Sequence, residues 1–205
     1  MPPDIRLNIS GAVEGLVDET VIRRLVREAG GSLDRVYGRN GKTHLKRDLG
    51  GYNHAAQHAP WVVAVDLDHD AECAPPFCRE WLPRPATHMC FRVAVREIEA
   101  WLLADREHLA RYLSVATLRV PPNPETLDDP KQTMVNLARN SRRRDIREDM
   151  VPRQNSGRTV GPAYSSRLIE FVETEWRPEV AARQADSLRR CRERLRELIS
   201  NWIPE

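Results

Sequence analysis

Trp61-Val62-Val63-Ala64-Val65 is an unbroken apolar run, opened by Pro60 and closed by Asp66. A half-exposed strand alternates polar and apolar positions, so a short continuous run predicts a strand buried on both faces of a sheet. Apolar and β-branched residues predict further strands over 5–13, 33–37 and 90–95. Between the first two, Val21, Ile22, Leu25 and Val26 fall on one helical face and predict a helix over 20–29, with Asp18 as its cap and Gly30-Gly31 as its stop. Residues 38–42 read as a turn and 48–58 as a helix closed by Pro60. The prolines within 71–87 predict a loop with a short helix over 78–82. Ile98, Trp101, Leu102, Leu109 and Leu113 recur at helical spacing and predict one helix over 97–113. Past the proline-rich junction at 120–124 no strand pattern remains; 130–138, 164–176 and 178–202 read as helices, with a polar connection over 140–161.

Strands alternating with helices define an α/β fold, with a mostly parallel sheet flanked by helices. The expected organisation is an α/β domain over 1–120 and a helical C-terminal extension over 121–205 packed on it. With 205 residues, 40% hydrophobic and 30% charged, the chain is long enough for a substantial core and is not of disordered composition. No apolar run approaches the ~20 residues that span a bilayer. Met1-Pro2-Pro3-Asp4 lacks the features of a signal peptide, so the expected compartment is the cytoplasm. Cys73, Cys78, Cys90 and Cys191 show no C-x-x-C spacing, and a zinc set drawn from His69, Cys73, Cys78 and His88 would be irregular; reduced thiols are the expectation. The oligomeric state has no signature in the chain.

Three predicted strands lead into carboxylates: the first into Glu14, the third into Asp66, Asp68 and Asp70, the fourth into Glu97 and Glu99. Ligands of open α/β sheets lie at the carboxyl ends of the strands. Acids gathered there repel one another unless a cation neutralises them, and oxygen-only ligands suit a hard ion, Mg²⁺ or Mn²⁺. In an extended segment Asp66 and Asp68 face the same side and both reach one ion. Glu97 and Glu99, two apart on a helix, do not share a face, and Glu97 is the one expected at the site. His69 is either a proton-transfer group or a surface histidine. The net charge of +2 gives no global basic field. Arg142, Arg143 and Arg144 nevertheless crowd one stretch with Arg139 and Arg147, and Lys46 and Lys131 stand out among only three lysines. Each of these is a nucleic-acid contact or part of a solvated face.

A strand ending Val13-Glu14-Gly15, a helix, and a strand ending Asp66-Leu67-Asp68 resemble the TOPRIM domain of topoisomerases, primases, ribosomal-RNA maturases and OLD-family nucleases. The resemblance covers about residues 5–95. It implies a TOPRIM-like, Rossmannoid sheet, with Glu14 as general acid/base or metal ligand and Asp66 and Asp68 as metal ligands. A narrower likeness rests on Asp18-Glu19, on Arg96-Glu97-Ile98-Glu99-Ala100-Trp101, on Pro130-Lys131 and on Gly161-Pro162-x-Tyr164. These residues resemble small bacterial TOPRIM-like proteins encoded beside AAA or ABC-type ATPases, as in anti-phage systems. That likeness implies a Mg²⁺-dependent nuclease working with a separately encoded ATPase, and glutamates of the E-x-E-A helix joining the acidic site. His69-Asp70 stand where the TOPRIM pattern has a glycine, and no phosphate-binding G-x-x-x-x-G-K-[ST] loop is present, so any ATPase is a partner.

Two other classes stay open. A haloacid-dehalogenase-type phosphatase would use Asp66 as nucleophile, but it expects Thr or Val at Asp70 and leaves Glu14 idle. A non-catalytic subunit binding metal or nucleic acid would keep the acids as an ion site and dock its partner through the helical tail.

Overall fold

The computed structural model describes residues 6–202. In chain order its elements are β1 (Leu7–Val13), α1 (Leu16–Glu28), β2 (Gly31–Gly38), α2 (Lys42–Ala55), β3 (Trp61–Asp66), α3 (Ala74–Trp81), β4 (Met89–Ala94), α4 (Ile98–Leu103), α5 (Arg106–Leu113), α6 (Pro130–Arg139), α7 (Arg144–Met150), α8 (Tyr164–Thr174), α9 (Pro178–Ala181) and α10 (Asp186–Ser200). Contacts divide the chain into two compact units, one drawn from Met1–Val93 with Arg189–Glu205, the other Ala94–Leu188. The expected boundary at 120 lies inside the second unit. There Val120 is buried and its carbonyl accepts from Arg106 Nε at 2.9 Å, which ties the proline-rich junction down. Among the described residues no helix is long and apolar enough to cross a membrane.

The first unit is α/β, with a four-stranded all-parallel sheet in the order β2-β1-β3-β4. Leu7 pairs with Gly31 and Val13 with Gly38 on one side of β1, and Ser10, Gly11 and Ala12 pair with Trp61, Val62 and Val63 on the other. Both faces of β3 are covered, as its continuous apolar run requires. Trp61, Val63 and Val65 share a core cluster with Leu45 and Leu49 of α2 and Phe77 of α3. On β2, the position of Gly31 is crowded by Ile9, by Val26 of α1 and by Ile199 of α10. The α10 arginines Arg192 and Arg196 pair with Glu28 at the end of α1.

Local differences from the expected elements have packing causes. The α1 helix starts at Leu16, ahead of the expected start, so Asp18 lies buried in its first turn. The α2 helix starts at Lys42 because Leu45 and Leu49, four apart, bury one face, and it carries Gly50 and Gly51 in its interior. Ile5, placed in the first strand by its sequence, lies outside the described residues.

The second unit is helical. Helix α4 is buried all round, as a central helix is. Trp101 donates from its indole to Ser187 Oγ at 2.7 Å, and Trp176 donates to the Trp101 carbonyl at 3.3 Å. The single helix expected over 97–113 breaks at Asp105, which is fully buried and held by Arg177: Nη2 donates to Oδ1 at 2.6 Å, and Nε and the backbone N–H donate to Oδ2. The last expected helix is likewise interrupted, between α9 and α10. The polar connection over 140–161 contains α7, whose end receives Gly161: its N–H donates to the Met150 carbonyl at 2.9 Å.

Candidate acidic site at the carboxyl edge of the sheet

The chain runs from β1 outward to β2 and then crosses to β3 on the other side of β1. The carboxyl ends of β1 and β3 therefore flank the topological switch point, where open α/β sheets form their crevice. Glu14 follows β1 directly, and Asp66 is the last residue of β3. The Asp66 backbone N–H donates to Glu14 Oε1 at 2.8 Å.

The loop after β2 closes over the end of β1. The N–H groups of Arg39 and Gly41 donate to the carbonyls of Val13 and Glu14 at 2.8 and 3.1 Å. Gly38, Arg39 and Gly41 all have positive φ, and a Cβ on Gly38 would press on the Val13 carbonyl oxygen. This loop delivers Lys42, the first residue of α2, to the acids. On the far side β3 stops at Asp66, Leu67 is anchored in the core, and Asp68 turns the chain in the left-handed region at φ 49°. The extended alternation expected for Asp66 and Asp68 thus ends one residue early. A short polar side chain tolerates that conformation, which explains how Asp68-His69-Asp70 turns without a glycine.

Lys42 Nζ is 2.7 Å from Asp68 Oδ2 and 2.7 Å from Asp70 Oδ2, and it donates to the Leu67 carbonyl at 3.4 Å. Burial alone would lower the lysine's pKa; the bonds to Asp68 and Asp70 outweigh it, and the ammonium stays charged. Glu14 moves the other way. Burial pushes its carboxyl up to about 7, against the Asp66 N–H and Lys42, which favour the ionised form; the charges of Asp18 and Asp68 add to the rise. Neighbouring Glu19 pairs with Arg39 at 2.7 Å and Arg23 at 2.9 Å, so it faces cations rather than the cluster. His69 is exposed on the turn.

Glu97 belongs to the second unit. It is the N-cap of α4, with extended backbone, and its carboxylate accepts from the Lys131 N–H at 2.8 Å and Nζ at 2.7 Å. Glu99 lies inside α4, buried, 3.6 Å from Lys131 Nζ and accepting from Tyr164 Oη at 3.2 Å. The expectation that Glu97 and Glu99 point apart is overturned: only one of them is helical, so both reach the same ammonium. The buried Glu99 in turn pushes the Tyr164 hydroxyl further up than burial alone does.

The basic residues singled out by sequence are placed as follows. Lys131 holds Glu97 and Glu99. Lys46 pairs with Glu80 at 3.0 Å. Arg143 pairs with Asp145, Arg144 pairs with Glu148 at 2.7 Å, and Arg142 is exposed. Cys73, Cys78, Cys90 and Cys191 are free thiols.

Sequence reasoning missed Lys42 and Asp18. The signal for Lys42 was its place, directly after a glycine turn that follows a strand. Asp18 was read as a cap, and only its burial shows that it bears on Glu14.

The donors here are oxygen only, and the carboxylates of Glu14, Asp18, Asp68 and Asp70 outnumber the Lys42 ammonium among them, a balance that suits a hard divalent cation in chemistry and charge. Among the described residues no three His, Cys, Asp or Glu side chains converge on one ion position. Asp68 and Asp70 are instead turned to Lys42. The class defined by fold and edge is an α/β protein with an acidic crevice at the switch point of a parallel sheet. Comparison of the chain with protein-family models, with curated proteins and with solved structures gave no match.

Proposed function

We propose that the first unit is a TOPRIM-type, Mg²⁺- or Mn²⁺-dependent nuclease that hydrolyses phosphodiesters of DNA or RNA, as the partner of a separately encoded ATPase in anti-phage defence. One observation carries it: Glu14 and Asp66, from separate strands, meet at the switch point, with the Glu14 carboxyl pushed up to about 7. Asp66, Asp68 and Asp70 are the candidate ligands, and an ion would have to displace Lys42 from Asp68 and Asp70 to be held by them. When bound, it would polarise the phosphodiester and offset its charge. Glu14, oriented by the Asp66 N–H, exchanges the proton of the attacking water at Oε2, and a group titrating near neutral pH suits that role. Lys42 bridges Asp68 and Asp70 and holds them close together. Glu97 is not needed in this scheme.

The test is cleavage of single- and double-stranded DNA and RNA with Mg²⁺ and Mn²⁺, with and without the ATPase. Glu14→Gln and Asp66→Asn are each expected to lose about a hundredfold or more in rate. Full activity in either variant overturns the assignment. A second function, a non-catalytic binding subunit, is favoured by the Lys42 bridge, which already gives Asp68 and Asp70 a shared cation. It predicts ion or nucleic-acid binding without cutting by wild type under every one of these conditions.

A further inference from the structure

Beside the acidic site a cleft of about 620 Å³ opens between α2 and α3. Lys42 and Asp70 line it, so it is continuous with the acids. One wall is α2, where Lys42 and Lys46, four apart, share a face and Arg47 lines the cleft next to them. The opposite wall is Phe77 and Trp81 of α3, whose rings stack at 4.7 Å. Lys46 Nζ lies 5.0 Å from the centre of the Trp81 ring and Lys42 Nζ 5.5 Å from that of Phe77, so each ammonium is steered by an aromatic face.

We infer that this cleft holds the backbone of the nucleic-acid strand next to the scissile position, with its phosphates on Lys46 and Arg47. The inference rests on the nuclease proposal for its substrate class, and its own support is the cleft. The carboxylate partners are expendable. Lys46 pairs with Glu80, and Arg47 with its sequence neighbour Asp48, through side chains that are all two-fifths or more exposed. Exposed pairs of this kind contribute little, so a phosphate displaces the carboxylate at small cost. The volume is that of a small-ligand pocket, enough for about one nucleotide. In the second unit a cleft of about 690 Å³ lined by Arg139, Arg147 and Arg153 has Glu148 and Asp149 in its wall and no aromatic ring.

The test is fluorescence anisotropy of labelled single-stranded 20-mers, DNA and RNA, in EDTA, across a salt series. The double variant Lys46→Glu/Arg47→Glu is compared with wild type and with Arg143→Glu/Arg144→Glu. Circular dichroism and thermal melting of each variant confirm folding, which substitution at exposed positions preserves. The cleft variant is expected to bind at least tenfold more weakly. Its salt dependence should be shallower by roughly 1.4 in the log–log slope, the loss of two phosphate contacts. The α7 variant should match wild type. If the cleft variant binds as wild type does, the cleft assignment is overturned while the acidic site stands or falls on cleavage. Weakened binding without any cutting keeps the cleft and removes the nuclease. No binding by wild type at any salt overturns both.

Discussion

Asp66 holds Glu14: the last residue of β3 donates its N–H to Oε1 of the first residue beyond β1, at 2.8 Å. The bond joins two strand ends that are 52 residues apart in the chain and fixes the orientation of a half-buried carboxyl. It favours the ionised form, yet burial wins and the carboxyl is pushed up to about 7.

That balance makes stability depend on pH with a definite sign. The ordinary value is 4.5 and the folded value about 7. Below 4.5 both folded and unfolded chains carry the proton. Between the two values the folded chain binds more protons, so the contribution of Glu14 to stability is lost as pH rises through 7. The loss is on the order of 2 kcal/mol, allowing for partial exposure. Glu14→Gln keeps the acceptor for the Asp66 N–H and cannot ionise. In EDTA it should match wild type near pH 4.5 and exceed it by that amount at pH 8, as read by urea unfolding. Parallel pH profiles for the two proteins would remove the buried acid from the account.

Gly38 is needed where it stands. At φ +86°, any side chain pays the left-handed penalty, and a Cβ would also collide with the Val13 carbonyl that accepts from Arg39. Gly38→Ala should destabilise by roughly 2–4 kcal/mol. Gly41, at φ +80° and ψ 173° with open space around it, lies in a region that essentially only glycine enters, and should lose about 2 kcal/mol on the same change from the backbone alone. Equal losses at the two positions, measured by denaturant unfolding, would show that the backbone penalty alone acts.

The sheet was legible because burial on both faces leaves a mark in the sequence itself: Trp61 to Val65 has no polar position to give to solvent. The meeting of Glu14 and Asp66 was legible for a related reason, since parallel strands bring their carboxyl ends to one edge. Lys42 left no such mark. Its partner Asp68 lies 26 residues further on, and only the order β2-β1-β3 and the closing turn at Gly38 bring the two together. The break at Asp105 was invisible for the same reason: helical periodicity runs on through it, and its cause is Arg177, 72 residues away. At Glu97 the error was local. A cap residue has strand-like backbone, so helical spacing rules did not apply to the pair.

The Glu97, Glu99 and Lys131 cluster predicts a structural rather than a binding phenotype. Glu99 is 3% exposed, and Lys131 supplies a positive charge to it and to Glu97. Lys131→Met should lower stability by about 1–2 kcal/mol, because Glu99 is buried but Lys131 itself is 38% exposed. Tyr164→Phe, which removes one hydrogen bond to Glu99, should lose about 1 kcal/mol. Both are read by guanidinium unfolding. Lys131→Met that is as stable as wild type but weaker in oligonucleotide binding would restore the phosphate-contact role.

Lys42 occupies the position of charge that a divalent ion would take between Asp68 and Asp70, so ammonium and ion compete for the same oxygens. Lys42→Met should therefore act in opposite directions with and without metal. In EDTA it removes a partly exposed bridge, a loss of about 1 kcal/mol. It also removes a charge that lowers the Glu14 pKa, which moves the Glu14 titration further above neutral. With Mn²⁺, the freed carboxylates should bind the ion about tenfold more tightly than wild type, equal to ~1.4 kcal/mol. Free Mn²⁺ measured by electron paramagnetic resonance reports this without any need for activity. Binding that is unchanged or weaker in Lys42→Met would mean that the ion does not use Asp68 and Asp70, and that the lysine is a permanent structural cation.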